Sequence, residues 1–269
     1  MRMKSVVLAV LLAATSLFGQ STQHIHDTGV AQHRDVRLLA PVRLTPTVPG
    51  VFTAGYSNLE TLTPGIDVNP TNINPGAPPP ASFTDESYAG GTTINVSGPA
   101  YSAGLSKRAV PLPTNVTIHQ ITMTYQINPS QNAILYAQVH ETDLMFVDAA
   151  GDLYNGSCQL NNQEGGMWQI AKAGGAWIDT GFKTGLLPPG VWTTVVVVYQ
   201  PNWTTLTLSV VSITVGALTF TIPASMQNVA AVQKSGWQPN LLDVQIQDGL
   251  NSKGGAFTRD MRNISIAVQ

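Results

Sequence analysis

In residues 118–127, mainly apolar side chains alternate with polar ones. One set would face one side of a strand (His119, Ile121, Met123, Tyr125, Ile127) and the polar set the other (Gln120, Thr122, Thr124, Gln126). Alternation at period two is typical of a half-buried β-strand. Similar segments predict further strands at 133–147, 168–173, 176–182, 192–200, 205–215, 217–222, 241–247 and 262–268. Short strands separated by polar turns predict an all-β sandwich or barrel.

A hairpin is predicted around Gly174-Gly175, because both glycines can take positive φ in a two-residue loop. That loop would pair Lys172 with Trp177 and place Trp168 on the same face as Trp177. Two indoles on one face could form an aromatic platform for a sugar ring. The alternative is that one or both fill the sandwich core, as is expected of Trp192.

The part of the chain before residue 115 has a different pattern. Residues 1–19 have a positive start (Arg2, Lys4) and then an apolar stretch over 6–14, which predicts a secretory signal peptide. Residues 20–114 are dense in Pro and Gly from position 46 onwards, which predicts a loop-rich arm that packs partly on the domain and contributes at most an edge strand at 92–96. The sandwich domain is therefore expected over 115–269.

Composition narrows the class of protein. Of 269 residues, only 10% are charged, against 43% hydrophobic, and the net charge is −2. Nucleic-acid binding is not expected, because it needs clustered Lys and Arg. The single cysteine, Cys158, excludes an intrachain disulfide and is expected to be a small core residue. With no later apolar stretch long enough to span a bilayer, we expect no integral membrane segment after signal cleavage, and a secreted, periplasmic or extracellular product.

Several motifs resemble the concanavalin A-like lectin/glucanase superfamily, in its LamG-like jelly-roll form. They lie at residues 154–159, 168–170, 177–181, 189–195, 206–216, 244–248 and 261–266. Within that superfamily the chain most resembles a group of exported bacterial proteins. The resemblance implies an all-β jelly-roll sandwich of two antiparallel sheets, and a function related to carbohydrate.

Glu141 and Asp143 are the candidate catalytic pair, because residues two apart on a strand project from the same face. Glucanases of the resembled family use a Glu-x-Asp-x-(x)-Glu strand, and a retaining pair needs carboxyl groups about 5–5.5 Å apart. Here Met145 and Phe146 occupy the positions of the third acid, so the acid/base step has no evident residue. The alternative is a polar strand end with local hydrogen bonds.

The candidate binding residues come from two patterns. Tyr136, Gln138 and His140 would lie in a row with Thr142 and offer an aromatic ring and neutral hydrogen-bonding groups to a sugar, or form an ordinary sheet face. Trp203 and Trp237 lie in polar turn contexts, where ligand contacts are common.

Metal binding has two candidate locations. Asp148 and Asp152 could supply oxygen ligands to Ca²⁺, although a tight hairpin turn explains the same residues. His24, His26 and His33 could bind a transition metal, but their spacing fits no recognised site. No cofactor other than Ca²⁺ is suggested.

The sequence therefore predicts a secreted, non-catalytic protein that binds a glycan or cell-surface polysaccharide. Two alternatives stay open. One is a polysaccharide-active glycoside hydrolase that uses Glu141 and Asp143, and the other is a structural envelope protein with no small ligand.

Overall fold

Two antiparallel β-sheets pack face to face to form a jelly-roll sandwich. The computed structural model describes residues 54–69, 76–112, 117–171, 176–205, 207–227, 233–234 and 239–269. Within these ranges each sheet has eight strands, and the only α-helix is a short one, α1 (Gln131–Tyr136). The all-β fold class predicted from the sequence is confirmed.

Sheet 1 has β16 near its centre, paired with β6 on one side and β4 on the other. In spatial order the path runs β13-β12-β11-β6-β16-β4-β3, and β1 also pairs with β16. Its strands are β1 (Ala54–Tyr56), β3 (Ser82–Tyr88), β4 (Gly91–Gly98), β6 (Ile121–Pro129), β11 (Thr193–Asn202), β12 (Thr207–Val215), β13 (Leu218–Thr221) and β16 (Gly255–Val268).

Sheet 2 is built around β7 and β15, which pair with each other. In spatial order the path runs β10-β9-β8-β7-β15-β5-β2, and β14 also pairs with β8. Its strands are β2 (Gly65–Asp67), β5 (Ala103–Pro111), β7 (Ala137–Val147), β8 (Asp152–Asn161), β9 (Met167–Ala171), β10 (Trp177–Lys183), β14 (Gln233–Lys234) and β15 (Leu241–Leu250).

The hydrophobic core lies between the inner faces of the two sheets. In β6 every second residue from Ile121 onwards is buried, so the predicted alternation is confirmed. The core includes large aromatic side chains and the free thiol of Cys158, as predicted for that residue. Its largest fully buried apolar and aromatic side chains include Trp168, Tyr125, Tyr154, Tyr199 and Phe146.

The predicted loop-rich arm over 20–114 is wrong for residues 82–111. These residues form β3, β4 and β5, and β4 lies between β3 and β16 instead of forming an edge. Phe83 of β3 packs on β5, where a Cβ added to Gly104 would come within 2.0 Å of its ring. The sandwich therefore begins well before residue 115. These strands can form because the prolines at 99 and 111 fall at strand ends, where they leave the strand interiors free to pair.

The predicted strand 133–147 is also wrong at its start, since residues 131–136 form α1. Ser130 takes an extended conformation before it, as an N-cap residue does, and Ala133 and Leu135 are strong helix formers. The predicted signal peptide (residues 1–19) and the three histidines His24, His26 and His33 lie outside the described residues. Within the described part of the chain, no helix has the length and apolar character needed to cross a membrane.

Two buried polar clusters connect the sheets through the core. In one, Arg108 of β5 contacts Asp85 of β3, with 2.6 Å between Nη2 and Oδ2 and both side chains fully buried. In the other, Arg259 of β16 donates to Asp248 of β15, which also contacts His140. Each cluster joins one sheet to the other by charged groups shielded from water.

Candidate functional site

Glu141 and Asp143 project from the same face of β7, as the alternation predicts. That face is turned away from sheet 1, and we call it the outer face of sheet 2. Glu141 lies opposite Gln159 of β8 and Gln247 of β15, whereas Asp143 lies opposite Ser157 and Gln245. The intervening residues of β7, such as Leu144, belong to the core.

Polar side chains follow one another in register across five strands of this outer face. We call this set the polar row; it consists of Asp179 (β10), Gln169 (β9), Gln159 (β8), Glu141 (β7) and Gln247 (β15). Because side chains directly opposite each other in a sheet lie close together, the row forms a continuous band.

Hydrogen bonds run along the polar row. Gln169 Nε2 donates to Asp179 Oδ1 at 2.6 Å, and Gln159 Nε2 donates to Gln169 Oε1 at 2.6 Å. On the other side of β7, Gln247 Nε2 donates to Glu141 Oε2 at 2.9 Å. These bonds fix the amide groups, so the row is held in one arrangement before any ligand arrives.

The two carboxyl groups at the centre of the row, Glu141 and Asp143, are both buried. Burial raises the pKa of Glu141 well above its usual value, and the nearby charge of Asp143 raises it further. Burial also raises the pKa of Asp143, to about 6, although a hydrogen bond from Ser157 works against this. Glu141 Oε1 and Asp143 Oδ1 are both buried, and neither has a hydrogen-bond partner. Burial and the neighbouring carboxyl group therefore both favour the protonated form of Glu141.

Solvent reaches the polar row at its β10 end. Asp179 and Glu164 are exposed, whereas Glu141 and Asp143 are only 1% and 6% exposed. Glu164 lies in the loop between β8 and β9 and accepts a hydrogen bond from Asn161 Nδ2 at 3.0 Å. Partial burial raises the pKa of Glu164, and the charge of Asp179 raises it further. Half-buried Trp177 lies two residues before Asp179 on the same face, so an indole borders this open end.

The predicted binding row of Tyr136, Gln138 and His140 is wrong. Tyr136 ends α1 and packs against the core, and Gln138 is half-buried at the start of β7. His140 is on the inner face, where its Nδ1 lies 3.2 Å from Asp248 Oδ1. Burial lowers the pKa of His140, so the ring is neutral at neutral pH. The alternation is right, but this side of β7 is the core side.

The predicted tryptophan platform is also wrong, because the hairpin register differs by one residue. Trp177 pairs with Ala171, not with Lys172, which lies outside the described residues together with Gly174-Gly175. A shift of one residue moves a side chain to the opposite face of a sheet. Trp168 therefore packs in the core, and its Nε1 donates to Thr184 Oγ1 at 3.2 Å, while Trp177 is on the outer face.

The other predicted aromatic contacts have different outcomes. Trp203 packs edge-on against Tyr154, with ring centroids 5.1 Å apart, and its Nε1 donates to the Ile118 carbonyl at 2.8 Å. Trp203 is therefore half-buried and packs as part of the fold. Trp192 is half-buried and stacks under Arg262, whose guanidinium carbon lies 4.0 Å from the ring centroid, so its expected place in the core is wrong. Trp237 lies outside the described residues.

The predicted Ca²⁺ ligands Asp148 and Asp152 belong to a tight turn between β7 and β8. Asp148 Oδ1 accepts hydrogen bonds from the backbone N–H groups of Ala150 and Asp152, at 2.8 and 2.9 Å. One carboxylate oxygen of Asp148 is thus used by the turn. Over the described ranges, no group of three or more His, Cys, Asp or Glu side chains is placed to hold a metal ion.

Sequence reasoning missed most of the residues that surround Glu141 and Asp143. The signal was present, because β8 and β15 carry polar side chains at every second position, between the apolar residues of the core face. The missed residues are Ser157, Gln159, Asn161, Gln169, Asp243, Gln245 and Gln247, together with Glu164 and Asp179.

Comparison with known proteins gives a distant likeness in architecture. No protein-family model matches the chain, and no curated protein sequence matches it. Alginate lyase vAL-1 from Chlorella virus superposes with a TM-score of 0.42 at 10% identity, covering 70% of this chain and 89% of that one. Arcelin-5, a lectin-like defence protein from Phaseolus vulgaris, gives 0.41 at 10% identity, covering 81% of this chain and 98% of its own. A carbohydrate esterase from the Shiga toxin-encoding bacteriophage phi24B gives 0.42 at 11% identity, covering 78% and 92%.

Proposed function

We propose that this chain is an exported, non-catalytic saccharide-binding protein, and that a saccharide binds at the open end of the polar row. The observation that carries the proposal is the row itself, a band of amide and carboxyl groups in register across five adjacent strands, with hydrogen bonds from β10 to β8 and between β15 and β7. Sugar hydroxyl groups need such fixed polar partners, and fixing them in advance lowers the entropic cost of binding. The resemblance of the sequence motifs to the concanavalin A-like superfamily supports the same reading.

Trp177 supplies the apolar part of the proposed site. One face of a sugar ring carries mainly C–H groups, and an indole is a large apolar surface with a polar rim. Because Trp177 and Asp179 project from the same face of β10, a ring stacked on the indole would have its hydroxyl groups near the row. The proposed export rests on the signal-peptide pattern of residues 1–19.

The test measures saccharide binding by the purified mature protein, first on a glycan array and then by calorimetry. Trp177→Ala should weaken the affinity about tenfold, because a central aromatic contact is typically worth more than about 1 kcal/mol. Trp192→Ala is the matched control, since it removes a half-buried indole that lies one residue before β11 of sheet 1 and stacks under Arg262. Absence of binding to any saccharide, or equal affinities for Trp177→Ala and the unaltered protein, would contradict the proposal and favour a structural envelope role.

A second candidate function is hydrolysis of a polysaccharide, which one further observation favours. Asp243 of β15 lies opposite Met145, on the same outer face, and its charge acts on Asp143. In this second proposal Asp243 takes the place of the third carboxyl group that the sequence of β7 lacks. Reducing-sugar release by the unaltered protein that is lost in Glu141→Gln would establish this function. Equal release by both proteins would remove it.

A further inference from the structure

A small cavity lies at the end of the sandwich where α1 is found. Residues of both sheets line it, together with residues of α1 and of the loop between β10 and β11. Its volume is about 10 Å³, close to the lower limit for holding a group the size of a water molecule. Leu186 at its mouth is 37% exposed, and the cavity opens to solvent there. Its apolar lining residues are Pro129, Ala133, Ile134, Leu160, Leu186 and Leu187.

Arg259 of β16 is the charged residue in the wall of this cavity. Its side chain is only 2% exposed, and its Nη1 donates to Asp248 Oδ1. A guanidinium group has five N–H hydrogens to donate, and Nε of Arg259 is buried and has no hydrogen-bond partner. Buried polar groups in folded proteins are nearly always hydrogen bonded. The cavity is the place from which a further acceptor can reach this guanidinium group.

The charges around the cavity favour an acceptor that is neutral. Asp248 balances the charge of Arg259, and His140 also contacts Asp248. Burial lowers the pKa of His140, so its ring adds no charge at neutral pH. Asn162, the other polar residue of the lining, is neutral. A carboxylate in the cavity would therefore add a buried negative charge without a partner of its own, which is costly, whereas a carbonyl oxygen would not.

The wall and the volume of the cavity limit what can carry that carbonyl group. The wall is mainly aliphatic, so it favours an apolar group next to the carbonyl. A longer acyl chain would require the lining side chains to move, and protein interiors are close-packed. Ala133 and Leu187 are themselves only 1% and 8% exposed, which leaves them little room to give way. A methyl group is the smallest apolar group that meets both conditions.

We infer that this cavity binds an acetyl group. The carbonyl oxygen accepts a hydrogen bond from the Arg259 guanidinium, and the methyl group packs against Ile134 and Leu187. An acetyl group can be attached through nitrogen, as an amide, or through oxygen, as an ester, and both present the same carbonyl and methyl at their tip. The inference goes beyond the proposed function, because the cavity shares no residue with the polar row.

Titration of the mature protein with small probes, followed by NMR of its labelled methyl groups, tests the inference. N-methylacetamide represents the amide source and methyl acetate the ester source. Either probe should shift the methyl signals of Ala133, Ile134 and Leu187, and the tighter of the two identifies the source. N-methylbutyramide, which has a longer chain, and the acetate ion, which is charged, should each bind at least about tenfold more weakly than the tighter acetyl probe. The signals of exposed Leu218 on β13 should not move.

Two variants locate the binding. Leu186→Trp should cover the mouth of the cavity and weaken binding of the acetyl probes at least about tenfold, whereas Leu218→Trp, at an exposed leucine of sheet 1, should leave it unchanged. Arg259→Lys keeps the charge but loses the planar fork of donors, so binding should weaken about tenfold in a protein whose other methyl signals stay in place.

Three results would overturn the inference. They are no shift of the cavity methyl signals with either acetyl probe, tighter binding of the acetate ion than of both acetyl probes, and equal weakening by Leu186→Trp and Leu218→Trp. None of these results bears on saccharide binding at the polar row, which the Trp177→Ala comparison tests separately.

Discussion

Replacing Arg108 by Met should destabilise the protein by about 3–4 kcal/mol. The guanidinium donates to Asp85 Oδ2 at 2.6 Å and, through Nη1, to Ser106 Oγ at 2.9 Å. A hydrogen bond to a charged group is worth about 1.5–3 kcal/mol and a neutral one about 1 kcal/mol. Removing one partner of a buried ion pair typically costs about 3–5 kcal/mol, because the other charge is left without compensation. Thr92 and Ser106 still donate to Asp85, which puts the expected loss at the lower end of that range.

The assay is equilibrium unfolding in guanidinium chloride, with the free energy of unfolding obtained by linear extrapolation. The slope with denaturant should stay the same, while the midpoint falls. The double variant Arg108→Met with Asp85→Leu should recover most of the loss, since apolar residues of similar size often replace a buried ion pair at little cost. A single-variant loss below about 1 kcal/mol, or a double-variant loss equal to the sum of the two single losses, would refute this account of the pair.

Three further predictions concern the core and the acid pair. Trp168→Ala should cost about 3–5 kcal/mol of unfolding free energy, and Trp177→Ala less than about 1 kcal/mol, in the same denaturant assay; similar losses would contradict their placement on opposite faces. The pKa of Asp143 is raised from 3.8 to about 6 on folding, so the folded state holds a proton that the unfolded state releases, and stability should fall as pH rises through that window. Asp143→Asn should flatten that fall and be more stable than the unaltered protein at neutral pH; an unchanged pH profile would refute the raised pKa of Asp143. Cys158 is fully buried and its pKa is raised to about 12, so a thiol reagent should label it only at the rate of unfolding; rapid labelling of the folded protein would contradict its burial.

The local pattern predicted strands well wherever one side of the strand is apolar. The alternation in 118–127 identifies β6, and the apolar stretches after residue 190 identify β11 to β13 within a few residues. Such segments carry their own signal, because burial of one face requires apolar residues at period two. The high density of proline and glycine in residues 46–114 was misleading. These residues indicate the turns correctly, but they give no sign of the strands that lie between the turns.

The candidate site could be predicted only in part. Local alternation placed Glu141 and Asp143 on one face of β7 and His140 on the other, but it could not say which face is the core, because both sides of this strand are buried. The face of Trp177 depends on the pairing register, which is set by the loop and not by the strand sequence. The polar row depends on which strands become neighbours, and Gln247 reaches Glu141 only because β15 pairs with β7 across more than a hundred residues of chain.

The position of β16 within sheet 1 has a consequence for how the chain reaches its native state. Residues 255–268 form the last described strand in chain order, yet in sheet 1 this strand lies between β6 and β4. Until this segment has been synthesised, both of those strands present unpaired N–H and C=O groups, which are sites for pairing with other chains. Sheet 1 therefore cannot be completed until residues 255–268 have been synthesised. Its assembly is late and slow, and the chain needs protection from aggregation until then.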